Sequence, residues 1–217
     1  MGRRLTIGLW AAALVLGAAA LLLAPGWAVV EAGTGAEIAG ARQPAAEIAS
    51  PYSLAIAADG RSVRLEGLID FGITRDLTAL LEGTDGDPVG LIRLESPGGR
   101  VAEARGLIKV IERFDLETSA VGDCASACTL VYMSGHTRYL EPGARLGFHR
   151  YGLFSPLVGL FLDPEVELEK DMAVFRRHRV AEAFIERIAA TPHETMWFPS
   201  PAELVRARVV DVLGAPD

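Results

Sequence analysis

The sequence predicts an α/β domain carried to the far side of a membrane. Three observations lead there. Leu5 to Leu23 is an apolar run without a charge, directly behind Arg3 and Arg4. From Val89 to His149, short β-type segments alternate with helical ones, as in a sheet built by right-handed crossovers. Small residues punctuate this region where strands hand over to helices, at Ser96-Pro97-Gly98-Gly99 and around Ser126.

The charge-free run is long enough for a hydrocarbon core of about 30 Å. The arginines before it place the N-terminus in the cytoplasm and the rest outside. Residues 1–30 read as an N-terminal membrane-anchor helix, with a signal peptide cleaved after Ala28 as the alternative. Residues 31–50 are small and polar and read as a linker, leaving 51–217 as one α/β domain. The net charge of -7 and the lack of a basic stripe argue against nucleic-acid binding.

Within the domain, Tyr52–Ala58 and Ser62–Ile69 alternate around Asp59-Gly60, the pattern of a β-hairpin. Phe71–Glu82 reads as a helix, capped by Thr74, with Leu77, Leu80 and Leu81 on one face. Gly83–Pro88 is a turn cluster, and Val89–Leu94 is an interior strand. Val101–Phe114 is amphipathic, burying Val101, Leu107, Ile108 and Ile111. A strand over Leu116–Val121, an apolar helix over Ala125–Ser134 and short strands at Arg138–Leu140 and Arg145–His149 complete the core. Tyr151–Leu162 is apolar but broken by Pro156 and Gly159, which suits a lid, an oligomer contact or a membrane-dipping loop. Asp163-Pro164 opens one long helix to about Ala190, with Val174, Phe175, Val180, Phe184 and Ile188 as its stripe. A proline-started helix after Phe198 leads into a final strand.

Three candidate groups carry chemistry. Gly98 and Gly99 let the backbone turn an N–H into a cleft, as a developing oxyanion requires; they also suit a plain strand-to-helix turn. Ser126, between Ala125 and Ala127, is open to a substrate carbonyl, and at a helix start the Ala127 N–H would be a second donor. A helix cap or a buried serine is the structural reading. His149, ending a strand, is the best placed base; His136 and His178 read as solvated and His193 as a turn residue. Cys124 and Cys128 flank Ser126. At i and i+4 on a helix they lie within disulfide reach, or they are two small buried side chains. No further Cys or His pair lies at ligand spacing, so no metal or cofactor is expected.

In order, Ser96-Pro97-Gly98-Gly99, Ala125-Ser126-Ala127 and Pro142-Gly143-Ala144-Arg145-Leu146-Gly147-Phe148-His149 resemble the Clp-protease/crotonase superfamily. The likeness is strongest to Clp-type serine peptidases and membrane-tethered relatives such as signal peptide peptidase A. It starts at Leu65 and extends through the 164–190 helix to Val209-Val210-Asp211. The resemblance implies a Clp/crotonase-like ββα superhelix and homo-oligomers formed through the long helix. It implies peptide or protein substrates cleaved through an acyl-enzyme, with Ser126 as nucleophile, His149 as base, and Gly98, Gly99 and Ala127 around the oxyanion hole. Its acidic triad member would fall near Thr195-Met196, neither acidic, so Glu194 is the nearest carboxylate. Cys124 and Cys128 stand where small residues are usual. The rival expectation is a catalytically inactive member of the fold that binds peptides or serves assembly.

Overall fold

The computed structural model describes residues 50–58, 60–84, 88–150 and 163–216. The expected anchor and nearly all of the expected linker, together with Asp59, part of the 83–88 turn and the apolar 151–162 stretch, lie outside the described residues. Among the described residues, no helix is long and apolar enough to cross a membrane.

Alternation makes β1 (Tyr52–Ile56) and β2 (Ser62–Gly67) an antiparallel pair, with Tyr52 opposite Gly67 and Ile56 opposite Val63. β3 (Leu91–Ser96) and β4 (Glu117–Ala125) then add in parallel. The first half of β4 pairs with β5 (Arg138–Leu140), and its second half with β6 (Arg145–Gly147). β7 (Val212–Leu213) adds to β5, so among the described residues every pairing between these strands beyond the hairpin is parallel. The domain is thus mixed α/β with a mainly parallel sheet. Parallel strands covered on both faces are rich in apolar residues, here Leu91, Ile92 and Leu94, with Arg93 between them paired to Glu141.

The helices α1 (Ile73–Glu82) and α2 (Val101–Arg113) bury one stripe each, Ile73, Leu77 and Leu81 on the first and Leu107, Ile108 and Ile111 on the second. Thr74 does not cap α1. The N-cap is Gly72, in a left-handed conformation, and the exposed N–H groups of Gly72 and Thr74 are met by the Glu103 carboxylate of α2. A carboxylate at a helix N-terminus complements its dipole, and here it also ties α1 to α2. Every residue of α3 (Ala127–Met133) is buried, in keeping with a sequence that is apolar all round apart from Thr129, whose hydroxyl is spent on the backbone.

The expected helix over 164–190 is two helices, α4 (Pro164–Arg177) and α5 (Glu182–Ala190). Arg179 between them sits at φ 58°, and the N–H of Val180 returns to the Phe175 carbonyl. No proline or glycine marks this break. Its surroundings do: the Ala181 N–H reaches the Ala207 carbonyl, and His178 is drawn to a buried arginine, Arg138. The apolar stripe survives the break, since Val174, Phe175, Val180, Phe184 and Ile188 are all buried. α6 (Pro201–Arg206) starts at a capping box formed by Ser200 and Glu203.

Candidate active site

β4 ends in a sharp turn at Ser126. Two steps along β3, Leu94 to Ser96, match four along β4, Ala120 to Cys124. This irregularity sets Cys124 beside Ser96 and so brings the end of β4 level with the Ser-Pro-Gly-Gly turn. Ser126 itself has φ 55° and ψ -125°, a region that costs a non-glycine residue about 1–3 kcal/mol and recurs at functional sites. Its N–H donates to the Gly147 carbonyl, and its carbonyl accepts from the N–H and hydroxyl of Thr129. The result has the strained strand-to-helix geometry of a nucleophile elbow without its Gly-x-Ser-x-Gly sequence.

Cys124 and Cys128 form a disulfide across this turn, with their Cα atoms 5.3 Å apart. They do not share a helix as the spacing suggested. Cys124 lies on β4 and Cys128 in the first turn of α3, so the bond joins the strand to the helix around Ser126.

His149 stands opposite. Its Nε2 is 2.7 Å from Ser126 Oγ, and its Nδ1 is 2.9 Å from the His193 carbonyl oxygen. A carbonyl only accepts, so Nδ1 carries the proton and Nε2 is free to accept from the serine hydroxyl. The ring is anchored through its neighbours. Phe148 exchanges both backbone hydrogen bonds with Trp197, and the Arg150 N–H reaches Thr191. The Phe148 ring packs edge-on against Phe175 and Phe184. Burial holds the His149 pKa below its ordinary value of 6.5; the hydrogen bond to His193 and the Glu194 charge oppose that shift, while the neighbouring His193 adds to it. The imidazole is therefore neutral at pH 7, as a general base must be.

The expected third member is corrected. The Nδ1 partner is the backbone of His193, whereas Glu194 is exposed and reaches the ring only through its charge. Sequence reasoning missed His193 because its contribution is a carbonyl, which every residue carries. Thr195 and Met196 bring no acid either, and Met196 lines the cleft.

The glycine turn also divides its labour. Gly98 N–H donates to Ser96 Oγ, so it is committed within the turn. Gly98 is needed instead for close packing: a Cβ there would come within 2.6 Å of the Ala125 carbonyl and 2.9 Å of Ser126 Cβ. Gly99 has φ 147°, and a Cβ would meet the Ile69 carbonyl at 2.2 Å. Among the described residues, the N–H groups of Gly99 and Ala127 have no acceptor, and both residues line the cleft with Ser126. These are the two donors available to an oxyanion.

The cleft is open, holds about 910 Å³, and is walled largely by apolar groups, among them Leu130, Leu168, Met172 and Phe175. Asp171 is the buried acid of this wall. It binds Arg105 of α2 at 2.7 Å, and burial pushes its carboxyl up from the ordinary range despite that partner. Arg105 also holds Glu167, so an ionic cluster fastens α4 to α2 beside the cleft. Among the described residues, no group of three His, Cys, Asp or Glu side chains stands together as a metal site. Compared with protein-family models and with curated proteins, the chain matches none.

Proposed function

We propose that the protein is an extracytoplasmic serine hydrolase of the Clp type that cleaves peptide bonds through an acyl-enzyme. The observation that carries this reading is the 2.7 Å contact between Ser126 Oγ and a neutral His149 at a strained turn facing an open cleft. Ser126 Oγ attacks the scissile carbonyl while its proton passes to His149 Nε2. The tetrahedral oxyanion takes the N–H groups of Gly99 and Ala127. His149 then protonates the leaving amine, and a water, deprotonated by the same nitrogen, releases the acid. The His193 carbonyl keeps the tautomer correct but lends the imidazolium only a partial negative charge, so the reaction runs slower than with a carboxylate in that place.

The ordered motifs support a Clp/crotonase-like ββα superhelix, and the charge-free run at residues 5–23 supports tethering on the far side of a bacterial inner membrane. Homo-oligomers through α4 belong to the same reading. The missing carboxylate favours a second one, a non-catalytic peptide-binding member of the fold. Labelling of the non-reduced protein by a fluorophosphonate separates the two. Incorporation that disappears in both Ser126→Ala and His149→Ala supports the hydrolase; a folded protein that never labels overturns it.

A further inference from the structure

The disulfide sits where a structural staple has little to stabilise. It closes a ring of five residues, and so small a ring removes less freedom from the unfolded chain than a long one. What the ring contains is Ser126, at the one backbone conformation in the site that a serine avoids. A relaxed, extended chain would separate the Cα atoms of residues 124 and 128 by roughly 13 Å, against 5.3 Å here. The bond excludes that release. Both cysteines are fully buried and neither lines the cleft, while Ser126 and Ala127 between them do. Weaker restraints also meet at the turn: Ser126 N–H on Gly147 at the end of β6, its carbonyl under Thr129 of α3, and Gly98 packed from the β3 side.

We propose that the Cys124–Cys128 cystine is a positioning element for Ser126, holding its hydroxyl on His149 and the Ala127 N–H towards the oxyanion, so that the oxidised protein is the reactive form. This rests on the hydrolase reading. A dithiol reductant breaks the S–S bond, supplies two electrons and two protons to leave two thiols, and itself closes to a cyclic disulfide. With the ring open, the turn relaxes and the competent arrangement becomes a minor one; reactivity falls with its population. The α4 wall of the cleft, Leu168, Met172 and Phe175, lies outside the ring and is left to bind the probe.

The test uses the full chain in three states: oxidised, reduced with dithiothreitol and reoxidised, together with the Cys124→Ala/Cys128→Ala double variant. Fluorophosphonate labelling is resolved into the inactivation rate and the probe affinity. The expected result is a rate lower by about tenfold or more on reduction, an unchanged affinity, unchanged circular dichroism, and recovery on reoxidation. Equal rates in the oxidised protein, in protein shown by thiol titration to carry two free thiols, and in the double variant overturn the clamp and leave the hydrolase standing. Loss of the fold on reduction also overturns it, since the bond is then a general staple. If the oxidised protein never labels, the hydrolase reading falls. The clamp is then judged by the NMR titration of His149: a pKa that moves on reduction keeps it, and superimposed curves end it.

Discussion

His149 and His178 are both half-buried imidazoles whose pKa burial lowers, and they serve opposite ends. His149 faces a hydroxyl on one nitrogen and a carbonyl on the other, so its free lone pair points at a proton that can move. The Nδ1 of His178 lies 2.8 Å from Arg138 Nη1, a donor that never gives up its proton. Burial, with the Arg138 charge behind it, lowers the His178 pKa to about 4. Its neutral ring is an acceptor that helps satisfy a buried guanidinium, which also binds Asp211 and the carbonyls of Val209 and Gly135. Two imidazoles in similar shade thus differ in what stands opposite: one offers a lone pair to a hydroxyl, the other accepts from a fixed guanidinium.

That contrast breaks most visibly at the catalytic end. Ser126→Ala and His149→Ala should each lower fluorophosphonate labelling by roughly a thousandfold or more while melting temperatures stay within a few degrees. At the other end, Arg138→Met should leave labelling of the folded fraction intact but cost about 2 kcal/mol in urea unfolding, because the buried carbonyls of Val209 and Gly135 lose a donor, while Asp211 loses its ion pair but keeps the backbone N–H of residue 138.

The two histidines also separate by pH. Labelling should rise as His149 loses its proton, through an inflection below 6.5, and stay level above it. The His178 contribution appears in stability. Between pH 6.5 and about 4 the unfolded chain takes up a proton that the native ring refuses, so this contribution is complete above 6.5 and declines as pH falls towards 4. Melting curves of His178→Gln against the parent should converge as pH falls through that window. The smallest effect is expected at Glu194. Glu194→Gln should change labelling by no more than about threefold and lower the His149 inflection, since the glutamate charge raises it. A thousandfold loss there would return the carboxylate to the third position.

Much of this was legible in the chain. The hairpin, α1, α2 and the parallel strands follow from periodicity, because burying one face requires apolar residues at the period of that element. Ser126, His149 and the glycine turn could be singled out because a candidate nucleophile, a candidate base and a close-packed backbone each need a particular residue type, and the structure brings the first two into contact. What was missed is backbone or distant partnership. The Nδ1 acceptor is a main-chain carbonyl, Gly98 spends its N–H on Ser96, α1 is capped by Glu103 of another helix, and the helix break at 178–180 has no proline or glycine.

An α/β domain with a mainly parallel sheet, and Ser126 and His149 as the candidate pair, could be read from residue type and spacing alone. It took the folded arrangement to show what faces each nitrogen of His149, which N–H groups have no acceptor among the described residues, and that the two cysteines bridge strand to helix around Ser126. Those outcomes depend on which groups from distant segments arrive within hydrogen-bond or bonding distance, and on how far water is excluded when they do.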